Sequence, residues 1–352
     1  MKHMTRFFSL LCALLLTAAC TEPEIIVPEE YTRTGTLPVY AAEERDFRTL
    51  VQPEMFNSSG VAQTVTDEPD FTAVTFQDGA QLSWYPSALY YDTYDGVCEI
   101  TYELESGEKY TVEQPRPSLA RAASDLALWM LVGWPETDAV YALERTALTE
   151  ITLEQAMTRA EELFAALGME GYVCEAALDM TVSRIHEMGE EWNALIDQGH
   201  ILNTPRLDYS AATAQHEGYF LRYNRFGAQG DVAGMFHADV YVTAQGFASI
   251  NLYDRYAAGE IRSTPAALVS YQAVAEALPQ ELQAARHPLQ LGEMTRIRLT
   301  WCPVRAENAQ DGMVFTPAWM ISFSCTGDEQ GGTGYYAIFD AVDGHLITGN
   351  WI

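Results

Sequence analysis

Twice in its second half the chain runs through the same order of signals: a helical segment, then a series of short strands parted by turns. The first passage opens at Thr149 and predicts a helix over Leu153–Leu167. Ala156, Ala160, Leu163, Phe164 and Leu167 share its apolar face, and Gly168 supplies a left-handed stop. Strand Tyr172–Met180, an amphipathic segment Ser183–Leu195, and strands Gly218–Phe226, Ala238–Thr243 and Ala248–Tyr253 follow. The second passage opens at Thr264-Pro265, with a helix over Ala266–Leu278 that extends toward Ala285. Its strands are Arg296–Val304, Ala318–Cys325, Gly334–Phe339 and Leu346–Trp351. Strands joined by short turns pair antiparallel, and each such sheet needs a helix to bury its apolar face. The expected class is therefore α+β: antiparallel β-sheets, each covered by helices on one face, in tandem units.

Ahead of these passages, residues 31–146 read as a mostly-β domain with one helix. Asp70–Phe76 alternates, Gln81–Tyr91 is rich in aromatics, and Val97–Glu103 and Lys109–Glu113 flank a hairpin signal. Ser118–Val132 carries a helical apolar stripe that stops at Gly133. The expected domains are 31–146, a middle α+β unit over 147–262 and a C-terminal α+β unit over 263–352.

The N-terminus is an export signal. Met1–Arg6 is basic, Phe7–Leu16 is apolar apart from Ser9, and Thr17-Ala18-Ala19 offers the small residues that a signal peptidase needs. The apolar run is too short for a bilayer core, which takes about 20 such residues. Cys20 follows at once. Small residues before a cysteine resemble the lipobox of bacterial lipoproteins, although Thr17 stands where leucine is commoner. The resemblance implies cleavage after residue 19, acylation of the Cys20 thiol and attachment to the extracytoplasmic face of the cell membrane. Thr21–Glu30 (TEPEIIVPEE) would then be a short extended tether. A plain secretory signal is the alternative.

The 352 residues hold 49 Asp and Glu against 20 Lys and Arg, for a net charge of −29. So acidic a chain lacks the clustered cations that nucleic acid or an anionic lipid surface requires. With 48% hydrophobic residues it has ample core material, which excludes disorder throughout. Beyond the leader, four cysteines remain: Cys98, Cys174, Cys302 and Cys325. Cys302 and Cys325 fall on strands able to form one long hairpin, so they are the expected disulfide. The alternative is four free thiols.

Two phrases in the last 90 residues carry a family likeness: Phe315-Thr316-Pro317-Ala318-Trp319, and Tyr335–Ile347 with Asp340-Ala341 and Asp343-Gly344. A helix, a strand with Pro-Ala-Trp and an apolar strand into Asp-Ala-x-x-Gly resemble the C-terminal parts of PepSY-like domains and YycH/YycI-type regulatory proteins. The whole layout is similar to clostridial-type lipoproteins with related domains. This likeness implies fold and compartment, with Trp319 a core anchor and Asp343-Gly344 a tight turn. It does not imply catalysis.

Motifs for chemistry are missing from the sequence. HExxH, GxSxG, a P-loop, a dinucleotide fingerprint and Cys/His zinc spacing are all lacking. Ser106-Gly107-Glu108-Lys109 has S-x-x-K spacing but falls in a predicted hairpin, where no helix presents the serine to the lysine. Asp92–Gly96 lacks the spacing of a calcium loop and reads as a turn. His186, His200, His216, His237, His287 and His345 are scattered, and no metal or cofactor is expected. The densest aromatic cluster is Trp84, Tyr85, Tyr90 and Tyr91, a candidate surface for a glycan or peptide. The expected role is a lipid-anchored, non-catalytic binding or regulatory protein of the cell envelope. A solute-binding lipoprotein of a transporter, or an envelope hydrolase with an unrecognised site in which at least two histidines and carboxylates converge in one cleft (His200, His216 and His237 being candidates), are the rival readings.

Overall fold

The computed structural model describes residues 37–56, 61–103, 107–133, 148–169, 172–201, 204–227, 230–232, 237–253, 256–285, 289–306, 312–326 and 335–349. Cys20 and the tether lie outside them. The elements in chain order are β1 (Val39–Glu44), α1 (Phe47–Leu50), β2 (Ala62–Glu68), β3 (Phe71–Phe76), β4 (Gln81–Trp84), β5 (Ala88–Asp92), β6 (Tyr94–Glu103) and β7 (Lys109–Pro117). Then come α2 (Leu119–Gly133), α3 (Leu153–Ala166), β8 (Tyr172–Met180), α4 (Val182–Asp197), β9 (Gly218–Gly227), β10 (Gly230–Val232), β11 (His237–Thr243) and β12 (Gly246–Tyr253). The chain ends with β13 (Tyr256–Ser263), α5 (Tyr271–Ala284), β14 (Gln290–Arg305), β15 (Met313–Thr326), β16 (Tyr335–Asp340) and β17 (Leu346–Gly349). The chain divides into two units, Ala42–Ala258 and Met1–Ala41 with Gly259–Ile352.

In the larger unit an antiparallel sheet runs β8-β9-β11-β12-β5-β4-β3-β2. Pairing of Tyr90 with Asn251 and Leu89 with Leu252 zips the N-terminal strands onto the middle ones. The boundary expected at 146 therefore does not separate two bodies. Helices cover both faces of this sheet, where one was expected. On one side Leu82, Leu89, Tyr91, Leu221, Val240 and Ile250 pack against Ala156, Ala160, Leu163 and Phe164 of α3. On the other, Leu178, Phe220 and Tyr241 pack with Ala123 and Leu126 of α2 and Ile185 and Met188 of α4. The cause is legible in β9, where Tyr219, Phe220 and Leu221 are apolar in succession, so both sides of the pleat demand cover.

Helix α3 starts with a capping box on Thr152, three residues past the Thr149 expected to cap it. The Thr152 hydroxyl accepts the Gln155 N–H at 3.2 Å, and the Gln155 side chain accepts the Thr152 N–H at 2.9 Å. Gly168 closes the helix at φ +64°.

In the smaller unit β14, β15, β16 and β17 form an antiparallel meander. Val274, Leu278 and Leu282 of α5 cover Ile297, Ile321 and Phe339 on one face. The helix begins at Tyr271, not at Ala266: the Val269 N–H is held by the Ala341 carbonyl at 2.7 Å, and Ser270 caps the helix by accepting the Ala273 N–H. Trp319 is buried, as expected of an anchor, and donates its indole N–H to the Val269 carbonyl at 2.8 Å. Gly344 sits at φ +85°, which only a residue without Cβ adopts easily.

The repeated order read from the sequence has a counterpart in topology. A helix and a four-stranded meander recur, α3 with β8-β9-β11-β12 and α5 with β14-β15-β16-β17, the first interrupted by α4. The expected Cys302–Cys325 disulfide is corrected. In the β14–β15 hairpin Cys302 stands opposite Thr316 and Cys325 opposite Leu291. Nine residues of strand at about 3.3 Å each part the two cysteines, far beyond the roughly 7 Å between Cα atoms that a disulfide tolerates. Among the described residues, no disulfide joins any of Cys98, Cys174, Cys302 and Cys325. No helix of the described residues is long and apolar enough to cross a membrane.

Candidate binding face

The pleat splits the aromatic cluster Trp84, Tyr85, Tyr90 and Tyr91 in two. Trp84 and Tyr91 belong to the core under α3, with Trp84 only 6% exposed. Tyr90 alternates with Leu89 and Tyr91 along β5 and so faces the other way, beside its cross-strand partners Ser83 and Asn251. Tyr85 follows Trp84 and is 41% exposed. Two residues that the sequence did not single out complete the surface. Phe71 lies 5.0 Å from Tyr85 between ring centroids, Tyr85 lies 6.2 Å from Tyr90 at 89°, and Tyr90 lies 5.6 Å from Tyr253 at 84°. Phe71, Tyr85, Tyr90 and Tyr253 thus form a chain of ring contacts across four strands.

The strip is electrically neutral. Burial, then a hydrogen bond with Tyr253, pushes the Tyr90 phenol up to about 12. Edge-to-face rings of this kind hold one another at fixed angles, so the surface is preset before any ligand arrives.

One end of the strip meets a charged, buried cluster. Asp92 is two residues along β5 from Tyr90, on the same face, with Ser249 opposite it. The Ser249 hydroxyl donates to Asp92 at 3.1 Å, and Arg121 of α2 bridges Asp92 and Asp125. Burial holds the Asp92 carboxyl above the usual carboxylate range, with Arg121 opposing it only in part. Burial also works against the Arg121 charge, but the two carboxylates outweigh it and the guanidinium stays protonated. Asp92 is thereby committed to a cation of the chain itself, which leaves no calcium loop at Asp92–Gly96. Lys109, the lysine of the S-x-x-K spacing, opens strand β7, while Ser106 lies outside the described residues.

His216 and His237 stand at opposite ends of the β9–β11 pair. His216 precedes β9 at the end where Gly218 pairs with Thr243, whereas His237 pairs with Asn224 at the other end. Six residues of strand, about 20 Å, part those pairs. His216 is held down by burial, with its Nδ1 accepting the Thr213 N–H at 2.9 Å. His287 lies outside the described residues. Asp340, Asp343 and His345 do gather, with ligand atoms within 4.8 Å of one another. Their own turn occupies them: Asp340 accepts the Val342 N–H and the Thr316 hydroxyl, and Asp343 meets the His345 N–H and ring. The backbone N–H of His345, then its ring, holds the Asp343 carboxyl below the usual range. This is the lock of the Asp343-Gly344 turn.

No family model matches the chain, and no curated protein does. Among solved structures, an uncharacterized protein from Eubacterium rectale is 11% identical, covering 89% of this chain and 86% of its own, with a TM-score of 0.47. The C-terminal domain of Bacillus megaterium YpeB is 9% identical, covering 88% and 98%, with a TM-score of 0.26. Both scores are too low to carry function across.

Proposed function

We propose that this chain is an exported, lipid-anchored protein of the cell envelope with PepSY-like units, and that it binds a neutral glycan on the strip Phe71–Tyr85–Tyr90–Tyr253. The observation that carries this reading is the chain of contacting rings left open beyond the helices, with a neutral phenol at its centre. Aromatic faces pack on the apolar faces of sugar rings, and Ser83 and Asn251 beside Tyr90 offer hydrogen bonds to hydroxyl and amide groups. An acidic body repels anionic polymers, which favours an uncharged ligand. The PepSY-like part of the reading rests on the Phe315–Trp319 and Asp340–Gly344 phrases.

Two measurements test it. Titration with N-acetylglucosamine oligomers is expected to show binding that weakens about fivefold in Tyr85→Ala and more in Tyr85→Ala/Tyr253→Ala, since each lost ring contact removes roughly 1 kcal/mol. Binding untouched by both variants would refute the strip. For the anchor, mass analysis of membrane-derived protein is expected to find a diacylated Cys20 at the N-terminus. A Cys20→Ala chain should leave the membrane fraction, and an uncut leader would refute this part.

A further inference from the structure

The free end of the larger unit's sheet carries a second surface, on the side opposite the ring strip. Among the described residues β2 pairs with β3 alone, and all seven residues of β2 are exposed. An edge of this length presents a row of unpaired N–H and C=O groups, and such edges are ordinarily guarded by lysine, proline or a bulge that turns them away. The sequence of β2 (AQTVTDE) has neither lysine nor proline, and its one register shift lies near its start, between Ala62 and Thr64.

The core-ward side of β2 is equally uncovered. Val65 stands opposite Val74, a core residue, so it points to the core side, yet it is 58% exposed. It lines a cleft of about 720 Å³ with Pro53 and Trp84 as further apolar walls and with Glu54, Asp67 and Glu68 among them. The cation of the cleft is already spent: Arg48 donates to both carboxylate oxygens of Asp46, at 2.8 and 2.6 Å. None of Glu54, Asp67 and Glu68 forms an ion pair among the described residues. Trp84, buried in the cleft wall, has an indole N–H without an acceptor. A strand edge, an apolar trough and three unmatched carboxylates thus lie side by side.

We infer that β2 receives an extended, cationic peptide segment as an added strand. Main-chain hydrogen bonds to the edge supply affinity, and an apolar side chain enters the trough beside Val65. Lysine or arginine side chains answer Asp67 and Glu54 on that side of the pleat and Glu68, which pairs with Phe71, on the other. Charge singles out the occupant. The chain's own tether, Thr21–Glu30, has four glutamates and no cation, and a second copy brings the same acids to the same edge. This inference does not depend on the ring strip, so either can fail alone.

The test uses the full chain and a nine-residue peptide of lysine and valine that presents both residues on each face of the extended strand, labelled for fluorescence anisotropy. Binding is expected, weakened at least tenfold by Asp67→Lys/Glu68→Lys and lost when glutamate replaces the peptide's lysines. Two further peptides carry N-methyl groups on the odd or on the even backbone amides. An added strand uses one set of amides for pairing and turns the other away, so one methylated peptide is expected to lose binding and the other to keep it. Equal binding by both would show electrostatic attraction without strand addition and overturn the inference. So would failure of the parent peptide to bind, or indifference to the charge-reversed variant.

Discussion

Asp239→Ala is expected to lower the stability of the larger unit by about 3–5 kcal/mol, a large part of what a domain possesses. Asp239 on β11 stands directly opposite Arg222 on β9 and is only 3% exposed. The Arg222 Nε and Nη2 each donate to one carboxylate oxygen at 2.7 Å, a two-pronged match that fixes both planes. The pair lies on the same face as Phe220 and Tyr241, two strand positions along, where the sheet passes under α2 and α4. Alanine at 239 removes one partner and leaves the guanidinium, 18% exposed, with too little water to replace it. The size of the effect is that of an abandoned charge and not of the pair's net worth. Arg222→Met/Asp239→Leu removes both charges and is expected to cost far less, under about 1 kcal/mol. Hydrogen exchange at the β9 and β11 amides reads both variants within the larger unit. A loss below about 1 kcal/mol in Asp239→Ala would show that water reaches Arg222.

How far the sequence reaches is set by how local each feature is. The face of α3 was readable because Ala156, Ala160, Leu163 and Phe164 recur at helical spacing, and one helix face needs no knowledge of what covers it. The start of α5 was not, since its first turn is displaced by a hydrogen bond from Val269 to Ala341, seventy-two positions on. The β14–β15 hairpin was readable from two apolar runs, but its register was not. Cys302 and Cys325 looked like neighbours until the pairing with Thr316 and Leu291 set them at different levels. The ring strip shows the same limit. Tyr85 and Tyr90 stood out as a dense aromatic patch, yet Tyr253 joins them only through the pairing of β5 with β12. Trp84 and Tyr91 had the same local signal and went to the core, because alternation sends neighbours to opposite faces.

Gly189→Ala is expected to destabilise the larger unit by about 2–3 kcal/mol, against the sign that helix propensity alone would give. In an open helix, glycine to alanine gains about 1 kcal/mol. Gly189 is on α4, where it is buried against Tyr209 in the second core. A Cβ at this position would lie 2.1 Å from Tyr209 Cγ and 2.5 Å from its Cβ. Those are the root of the side chain, so no rotation of the ring clears them, and the backbone of the segment must retreat. That segment is fastened to the same helix by Asn193, whose Nδ2 donates to the Leu207 carbonyl at 2.8 Å. Retreat would therefore break a second contact as well as open a void around Tyr209. A double-mutant cycle separates crowding from any effect on the unfolded chain. Tyr209→Gly removes every side-chain atom that the new methyl would strike, so Gly189→Ala on that background is expected to be neutral or stabilising. The coupling between the two sites should then exceed about 2 kcal/mol. If Gly189→Ala instead costs as much without the Tyr209 ring as with it, the close approach of α4 to this segment is not what the glycine serves.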